Sequence, residues 1–140
     1  MKEYKVGLFC IALLVCVMAG YSFADSAEED ASKAAKSWLA LVDAGEYSKS
    51  WAQSAELFKN AVTKKKWSQS LDAARKPLGD LVSRKVMSAQ YATSLPGAPD
   101  GEYVVIQFKS SFSNKKAAVE TVTPMKDSDG KWRVSGYFIK

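Results

Sequence analysis

The sequence contains no histidine, and its only two cysteines, Cys10 and Cys16, lie near the start of the 140 residues. Histidine and cysteine are the usual ligands of zinc and copper, and they supply the base or nucleophile of serine-histidine and cysteine-histidine hydrolases. The composition therefore argues against such metal sites, such hydrolases and thiol redox chemistry. We predict no cofactor, no metal and no catalytic residue, while carboxylate, tyrosine, lysine and serine chemistry stays open.

Long apolar runs are also scarce, and the one that stands out covers residues 6–19 behind a positively charged start. This run is too short for a bilayer span, which needs about 20 residues. It is typical of the apolar region of a secretory signal peptide. Ser22 and Ala24 are small residues at the two positions that a signal peptidase reads, so we predict cleavage before Asp25.

The predicted cleavage divides the chain into a signal peptide, residues 1–24, and a single α+β domain, residues 25–140. Export places this domain in the periplasm or outside the cell, without a stable membrane span. Both cysteines leave with the signal, so no disulfide can form and the hydrophobic core alone must hold the fold. A lipid anchor on Cys10 or Cys16 is atypical, because neither is preceded by a small residue.

The charge excess is modest. The chain has 20 basic and 15 acidic residues, and loss of Lys2, Lys5 and Glu3 with the signal leaves 18 and 14, a net charge of +4. Nucleic-acid-binding domains usually concentrate more positive charge on one face. We therefore predict no nucleic-acid partner and expect anionic components of the cell envelope instead.

Three amphipathic helices are predicted before residue 81. A capping-box spacing begins the first helix at Ser26, and Gly45 is placed to close it in a left-handed conformation. The second covers residues 47–61. Thr63 caps the third, which must end before Pro77 because proline cannot continue a helical ladder.

Beyond the helices, the hydrophobic period changes from 3.6 to 2. Turn residues separate four predicted strands, which cover residues 81–94, 102–112, 116–126 and 131–140. Short connections between them favour an antiparallel meander. We therefore predict an α+β fold in which three N-terminal helices pack on one face of a curved four-stranded antiparallel sheet.

The register of the sheet decides which face the helices cover. A two-residue turn at Asn114-Lys115 would place Phe108 opposite Thr121 and Lys109 opposite Glu120. The face predicted to meet the helices then includes Phe108, Thr121, Thr123, Val134 and Phe138. Five residues of the opposite, outer face are candidate contacts for a ligand or partner: Tyr103, Gln107, Glu120, Arg133 and Tyr137. Arg84 in the first strand is a sixth candidate, either as an anion contact or in a salt bridge.

Five segments, "WLALVDAGEYSKSW", "RKPLG", "SLPGAPDGEYVVIQF", "ETVTPM" and "DGKWRVSGY", appear in this order from Trp38 to Tyr137. Together they resemble the secreted bacterial family known as domain of unknown function 4019. The resemblance implies a cone of the cystatin-like or NTF2-like kind and carries no activity, cofactor or catalytic residue with it. Such cones often insert a strand between helices, and no strand signal precedes Leu81.

Two functions remain open. The first is a non-catalytic exported envelope module that binds a small apolar ligand in the cone, or an envelope protein or second copy of itself through the outer sheet face. The alternative is a small histidine-free NTF2-like enzyme, an isomerase or hydrolase, that uses a carboxylate at a helix end. The carboxylates available for that role are Asp43, Glu56, Asp72 and Asp80.

Overall fold

A computed structural model describes residues 22–140 of the chain. Both cysteines and the apolar run of residues 6–19 lie outside the described residues. Four helices come first: α1 (Phe23–Asp43), α2 (Tyr47–Ala52), α3 (Glu56–Ala61) and α4 (Lys64–Arg75), followed by a 3₁₀ turn (Lys76–Leu78). Four strands complete the fold: β1 (Leu81–Ala92), β2 (Tyr103–Phe112), β3 (Lys115–Lys126) and β4 (Trp132–Ile139). Within residues 22–140, no helix has the length and apolarity to cross a membrane.

The start of α1 differs from the prediction. Ser22, not Ser26, is the N-cap, and its hydroxyl accepts a hydrogen bond from Asp25 N at 3.2 Å. Phe23 then packs edge to face against Tyr91 of β1 with ring centroids 5.8 Å apart. The other end of α1 is as predicted, because Gly45 follows the C-cap residue Ala44 and takes a positive φ of 75°.

The second predicted helix is in fact two. Between α2 and α3 the chain turns extended at Ala55, whose amide donates to the carbonyl of Val134 in β4 at 2.8 Å. Ala55 is fully buried at this contact. A hydrogen bond to the sheet has replaced a helical one, which periodicity alone does not reveal. The predicted third helix is confirmed as α4, with the Thr63 side chain accepting from Lys66 N.

The sheet confirms the predicted α+β class. Its order is β1-β2-β3-β4 with every pair antiparallel, and the helices cover one face. The buried core between the two layers joins residues from α1, α4 and the inner sheet face: Ala31, Ala35, Trp38, Leu39, Val42, Trp67, Leu71, Val104, Ile106, Phe108, Val122 and Val134. We call the sheet face turned away from this core the outer face.

The predicted register of β2 against β3 is wrong by one residue. Phe108 pairs with Glu120 and Lys109 with Val119, whereas the prediction had Phe108 opposite Thr121. The hairpin closes with Phe112 opposite Lys115, and a bulge between Ser110 and Phe112 then adds one residue on β3. Because side chains alternate between faces, one extra residue moves every later side chain of β3 to the other face.

This shift reverses the predicted sides of several residues. Glu120 lies on the covered face, while Thr121 and Thr123 lie on the outer face. In β4, Phe138 pairs with Thr121 and is 59% exposed, so its predicted place beneath the helices is wrong. Tyr137 pairs with Val122 and points inward. Val134 is buried as predicted, because a second bulge at Pro124 restores it to the covered face.

Gly79 provides a test of how tightly the 3₁₀ turn meets the β2–β3 hairpin. Its φ of 74° and ψ of −156° suit glycine alone, and an added Cβ would overlap Ser113 Oγ, which accepts a hydrogen bond from Asp80 N at 2.9 Å. We expect Gly79→Ala to lower the free energy of unfolding by about 3 kcal/mol or more in urea titrations.

Gly97→Ala is the matched control for this substitution. Gly97 also has a positive φ, 75°, but nothing lies within 4 Å of an added Cβ. It should lose only about 1–2 kcal/mol from the left-handed conformation. Equal losses in the two variants would contradict the close approach of Gly79 to Ser113.

Candidate functional site

Glu120 is the most deeply buried charged residue of the covered face, with 0% exposure. Its Oε1 accepts a hydrogen bond from Arg84 Nε at 2.7 Å and one from the Ser110 hydroxyl at 2.5 Å. Its Oε2 accepts from the Tyr137 hydroxyl at 2.5 Å. Both carboxylate oxygens are therefore bound by the protein's own donors.

Two helix-end residues extend this network. Asp43, the last residue of α1, receives two hydrogen bonds from Arg84, at 2.6 and 2.9 Å, and one at 2.8 Å from Nη2 of Arg75. Nη1 of Arg75 lies 4.0 Å from Glu120 Oε2. We call the set of Asp43, Arg75, Arg84, Ser110, Glu120 and Tyr137 the buried ion cluster.

The buried ion cluster pairs two carboxylates with two guanidinium groups. Burial alone would raise the pKa of Asp43, but the hydrogen bonds and charges of Arg84 and Arg75 outweigh burial and hold that pKa below its ordinary value. Asp43 therefore stays ionised and is a weaker base than a free aspartate. Arg84 binds both oxygens of Asp43, and a pair of parallel donors of this kind fixes the orientation of the two groups as well as their charge.

Tyr137 completes the cluster from the aromatic core. Its ring centroid lies 5.4 Å from that of Trp38 and 6.4 Å from that of Trp67. Burial, and then the negative charge of Glu120 and the hydrogen bond to it, raise the pKa of Tyr137 well above its ordinary value. The hydroxyl therefore keeps its proton and acts as a donor to Glu120.

Arg75 is buried with some of its donors unused. Among residues 22–140, no group accepts a hydrogen bond from its Nε or Nη1. The guanidinium carbon lies 4.7 Å from the centroid of the Phe112 ring, a cation–π contact that partly offsets the missing hydrogen bonds. Arg75 thus depends on its charge partners, Asp43 and Glu120, to remain inside the fold.

The structure brings together three of the six predicted site residues, Arg84, Glu120 and Tyr137. They meet on the covered face, so the predicted outer-face position of Glu120 and Tyr137 is wrong; the bulge between Ser110 and Phe112 is the cause for Glu120. For Arg84, the salt-bridge alternative is the one that the structure contains.

The other three predicted residues lie apart from one another. Tyr103 is buried on the sheet and donates to the carbonyl of Pro99 in the β1–β2 loop at 2.6 Å. Gln107 lies on the outer face beside Ser88. Arg133 pairs with Asp127 and Asp129 in the β3–β4 turn.

Sequence reasoning missed Arg75 and the role of Ser110, and it named Asp43 only as a helix-end carboxylate. One signal for Arg75 was available. It follows Trp67 and Leu71 at intervals of four residues, the spacing of one helical stripe, and those two residues are in the core. A charged residue that continues an apolar stripe indicates a buried ion pair.

The outer face carries a second feature, which we call the basic patch: Lys85, Lys109 and Lys116. Lys85 and Lys109 are direct cross-strand partners, and all three side chains are exposed. They line a cavity of about 470 Å³ with three serines and Arg84. None of the ion pairs found within residues 22–140 includes a lysine of this patch.

An apolar cavity of about 260 Å³ adjoins the basic patch. Met87, Ala117, Ala118 and Val119 supply its apolar lining, and Lys109 belongs to both cavities. Met87 is 54% exposed. No group of three or more acidic side chains that could hold a metal ion is found in the part of the chain that the structure describes.

Comparison with known families agrees with the resemblance noted in the sequence. The model of a family described as "Protein of unknown function (DUF4019)" matches residues 34–137. The chain belongs to the DUF4019 family. The matched segment spans α1 to β4 and so contains every residue of the buried ion cluster of this DUF4019 protein. No curated protein and no solved structure matches the chain.

Removing the charge of Glu120 tests whether the buried ion cluster is essential to the fold. Glu120→Gln keeps the size of the side chain but leaves Arg84 and Arg75 with a single carboxylate. Breaking a buried pair in this way costs about 3–5 kcal/mol. We expect a loss of about 3 kcal/mol in the free energy of unfolding, measured by urea titration.

Glu56→Gln is the matched control, because Glu56 pairs with Lys59 on the surface of α3 at 2.8 Å. Exposed pairs of this kind contribute at most about 1 kcal/mol. Similar stability losses in Glu120→Gln and Glu56→Gln would show that Glu120 does not hold the cluster together.

The raised pKa of Tyr137 gives a prediction about alkaline stability. Above about pH 10 the unfolded chain releases the phenolic proton while the folded protein retains it, so the free energy of unfolding of the wild type falls as pH rises. In Tyr137→Phe this contribution is absent. Thermal unfolding should show a shallower alkaline decline for Tyr137→Phe, and parallel declines would contradict the placement of Tyr137.

Proposed function

We propose that this DUF4019 protein is a non-catalytic module of the cell envelope that binds its partner through the outer face of the sheet. The observation that carries the proposal is the contrast between the two faces. On the covered face, the buried ion cluster pairs its carboxylates and guanidinium groups with one another. On the outer face, Met87 and Phe138 are exposed and the basic patch has no acidic partner within the described residues.

The arrangement of the carboxylates weighs against the enzyme alternative. Asp43 is the helix-end carboxylate that reaches the space between helices and sheet, and its lowered pKa makes it a poor general base. Glu56 and Asp72 form surface pairs with Lys59 and Lys76. Asp80 is exposed. We therefore do not propose a reaction.

The packing of the core also weighs against a small apolar ligand bound between the helices and the sheet. Trp38, Trp67, Phe108 and Tyr137 pack together and fill the centre of the space between the layers. A cavity of about 470 Å³ remains at one edge, between α1, the end of α2 and β4, and its lining includes Gln53, Lys131 and Arg133. An apolar ligand in the centre would have to displace core residues, at a cost of several kcal/mol. In the edge cavity it would lie beside the polar and charged side chains of Gln53, Lys131 and Arg133. This favours contact at the outer face, where the apolar cavity adjoins the basic patch.

The experiment introduces one acidic residue into the centre of the outer face. Thr121 is half-buried and lies between Gln107 and Phe138. Wild type and Thr121→Asp would be purified from the native cell envelope, and co-eluting molecules identified by mass spectrometry. We expect Thr121→Asp to reduce the amount of the wild type's co-eluting component at least about tenfold, because an acid buried there loses more than about 1.4 kcal/mol of binding.

Gln69→Asp is the matched control, since Gln69 is exposed on α4 in the helical layer. This variant should retain the co-eluting component. Circular dichroism establishes that both variants are folded. Loss of the component in Gln69→Asp, with retention in Thr121→Asp, would move the binding surface to the helices and contradict the proposal.

A further inference from the structure

The basic patch is unusual because two of its positive charges face each other across neighbouring strands. Lys85 and Lys109 are direct partners in the β1–β2 ladder, and like charges in that position are destabilising. Asp43 and Glu120, the acids that bind Arg84 beside the patch, give little relief because they are already paired with Arg84 and Arg75. The patch therefore carries positive charge that an external anion would neutralise.

The chemistry of the patch and its surroundings indicates what that anion is. Lysine ammonium groups bind phosphate as point charges, and the hydroxyls of Ser83 and Ser111, which face each other across the strands, can donate to the remaining oxygens. Next to them, the cavity formed by Met87, Ala117 and Val119 is aliphatic. A phosphate joined to an alkyl chain matches both parts.

We propose that the outer face docks on the surface of an anionic phospholipid bilayer, with a lipid phosphate between Lys85, Lys109 and Lys116 and with Met87 and Phe138 at the acyl boundary. This inference rests on the proposed function and names the partner. Exposed apolar side chains beside lysines are the pattern of proteins that bind the interface without crossing it.

Two other occupants fit the same surface less well. Single-stranded nucleic acid needs aromatic faces directly beside its phosphates. The cavity next to the patch is aliphatic, and Phe138 lies on β4, two strands away from Lys109. A second copy of this chain, placed on the patch by a two-fold axis, would bring its own lysines against Lys85, Lys109 and Lys116. The bilayer is the occupant whose charge and apolarity both complement the face.

The test is co-sedimentation of the complete domain with vesicles of phosphatidylglycerol and phosphatidylcholine in equal parts. Vesicles of phosphatidylcholine alone give the neutral comparison. We expect binding to the anionic vesicles only, and weaker binding at about 1 M salt than at about 0.1 M, because exposed charges are screened over shorter distances. Lack of binding to anionic vesicles at low salt would overturn the proposal.

Substitutions test whether the basic patch is the surface that contacts the vesicles. Each lysine near an anionic surface contributes about fivefold in affinity, so Lys85→Gln combined with Lys109→Gln should bind about 25-fold more weakly. The control combines Lys36→Gln and Lys65→Gln, two exposed lysines of α1 and α4, and removes the same charge from the helical layer. The control should stay within about twofold of wild type. Equal losses in the two double variants would overturn the proposal.

Three further measurements distinguish the bilayer from free phosphate, single-stranded nucleic acid and a second copy of the chain. Inorganic phosphate should not displace the protein from vesicles when present at the same phosphate concentration as the lipid. Full displacement, preferential binding to single-stranded DNA, or a dimer by light scattering that dissociates in Lys85→Gln/Lys109→Gln would each overturn docking on a bilayer. If the wild type retains a protein partner that Thr121→Asp loses, while neither protein binds vesicles, this inference fails and the proposed function stands.

Discussion

The fold depends on neutralising one carboxylate where water does not reach it. Glu120 lies beneath the helices on a central strand, and burial of an unpaired carboxylate would cost several kcal/mol. Its partners arrive from separate elements: Arg84 from β1, Ser110 from β2, Tyr137 from β4 and, at longer range, Arg75 from α4. The charge of Glu120 therefore ties the helical layer to all four strands.

The same constraint separates the two faces of the sheet. A bulge between Ser110 and Phe112 turns Glu120 inward and leaves Thr121 outward, where Phe138 joins it from β4. The covered face becomes a core with an internally paired ion cluster, and the outer face keeps exposed apolar side chains and unneutralised lysines. The charges of the interior are paired within the protein, whereas those of the outer face are exposed, and this contrast is the basis of the binding function proposed here.

The sequence was sufficient for elements whose signals are local. Hydrophobic periods, the Thr63 cap and Gly45 predicted the α+β class and most boundaries to within a few residues. Local signals do not reveal the break between α2 and α3 at Ala55 or the inward position of Glu120. Both depend on partners distant in sequence, Val134 for Ala55 and Arg84 for Glu120. A bulge has no clear residue signature, yet a single extra residue reverses the faces of a strand, which is why the predicted face of Glu120 and Tyr137 is wrong.

The register of β2 against β3 in solution is the measurement that tests the inward position of Glu120 most directly. Nuclear Overhauser contacts between backbone protons across the two strands report which residues are opposite. The account predicts contacts that pair Ser110 with Ala118 and Phe108 with Glu120, together with contacts from the Tyr137 ring to the Glu120 side chain. Contacts that pair Phe108 with Thr121 and Lys109 with Glu120 would turn the carboxylate to the outer face and contradict it.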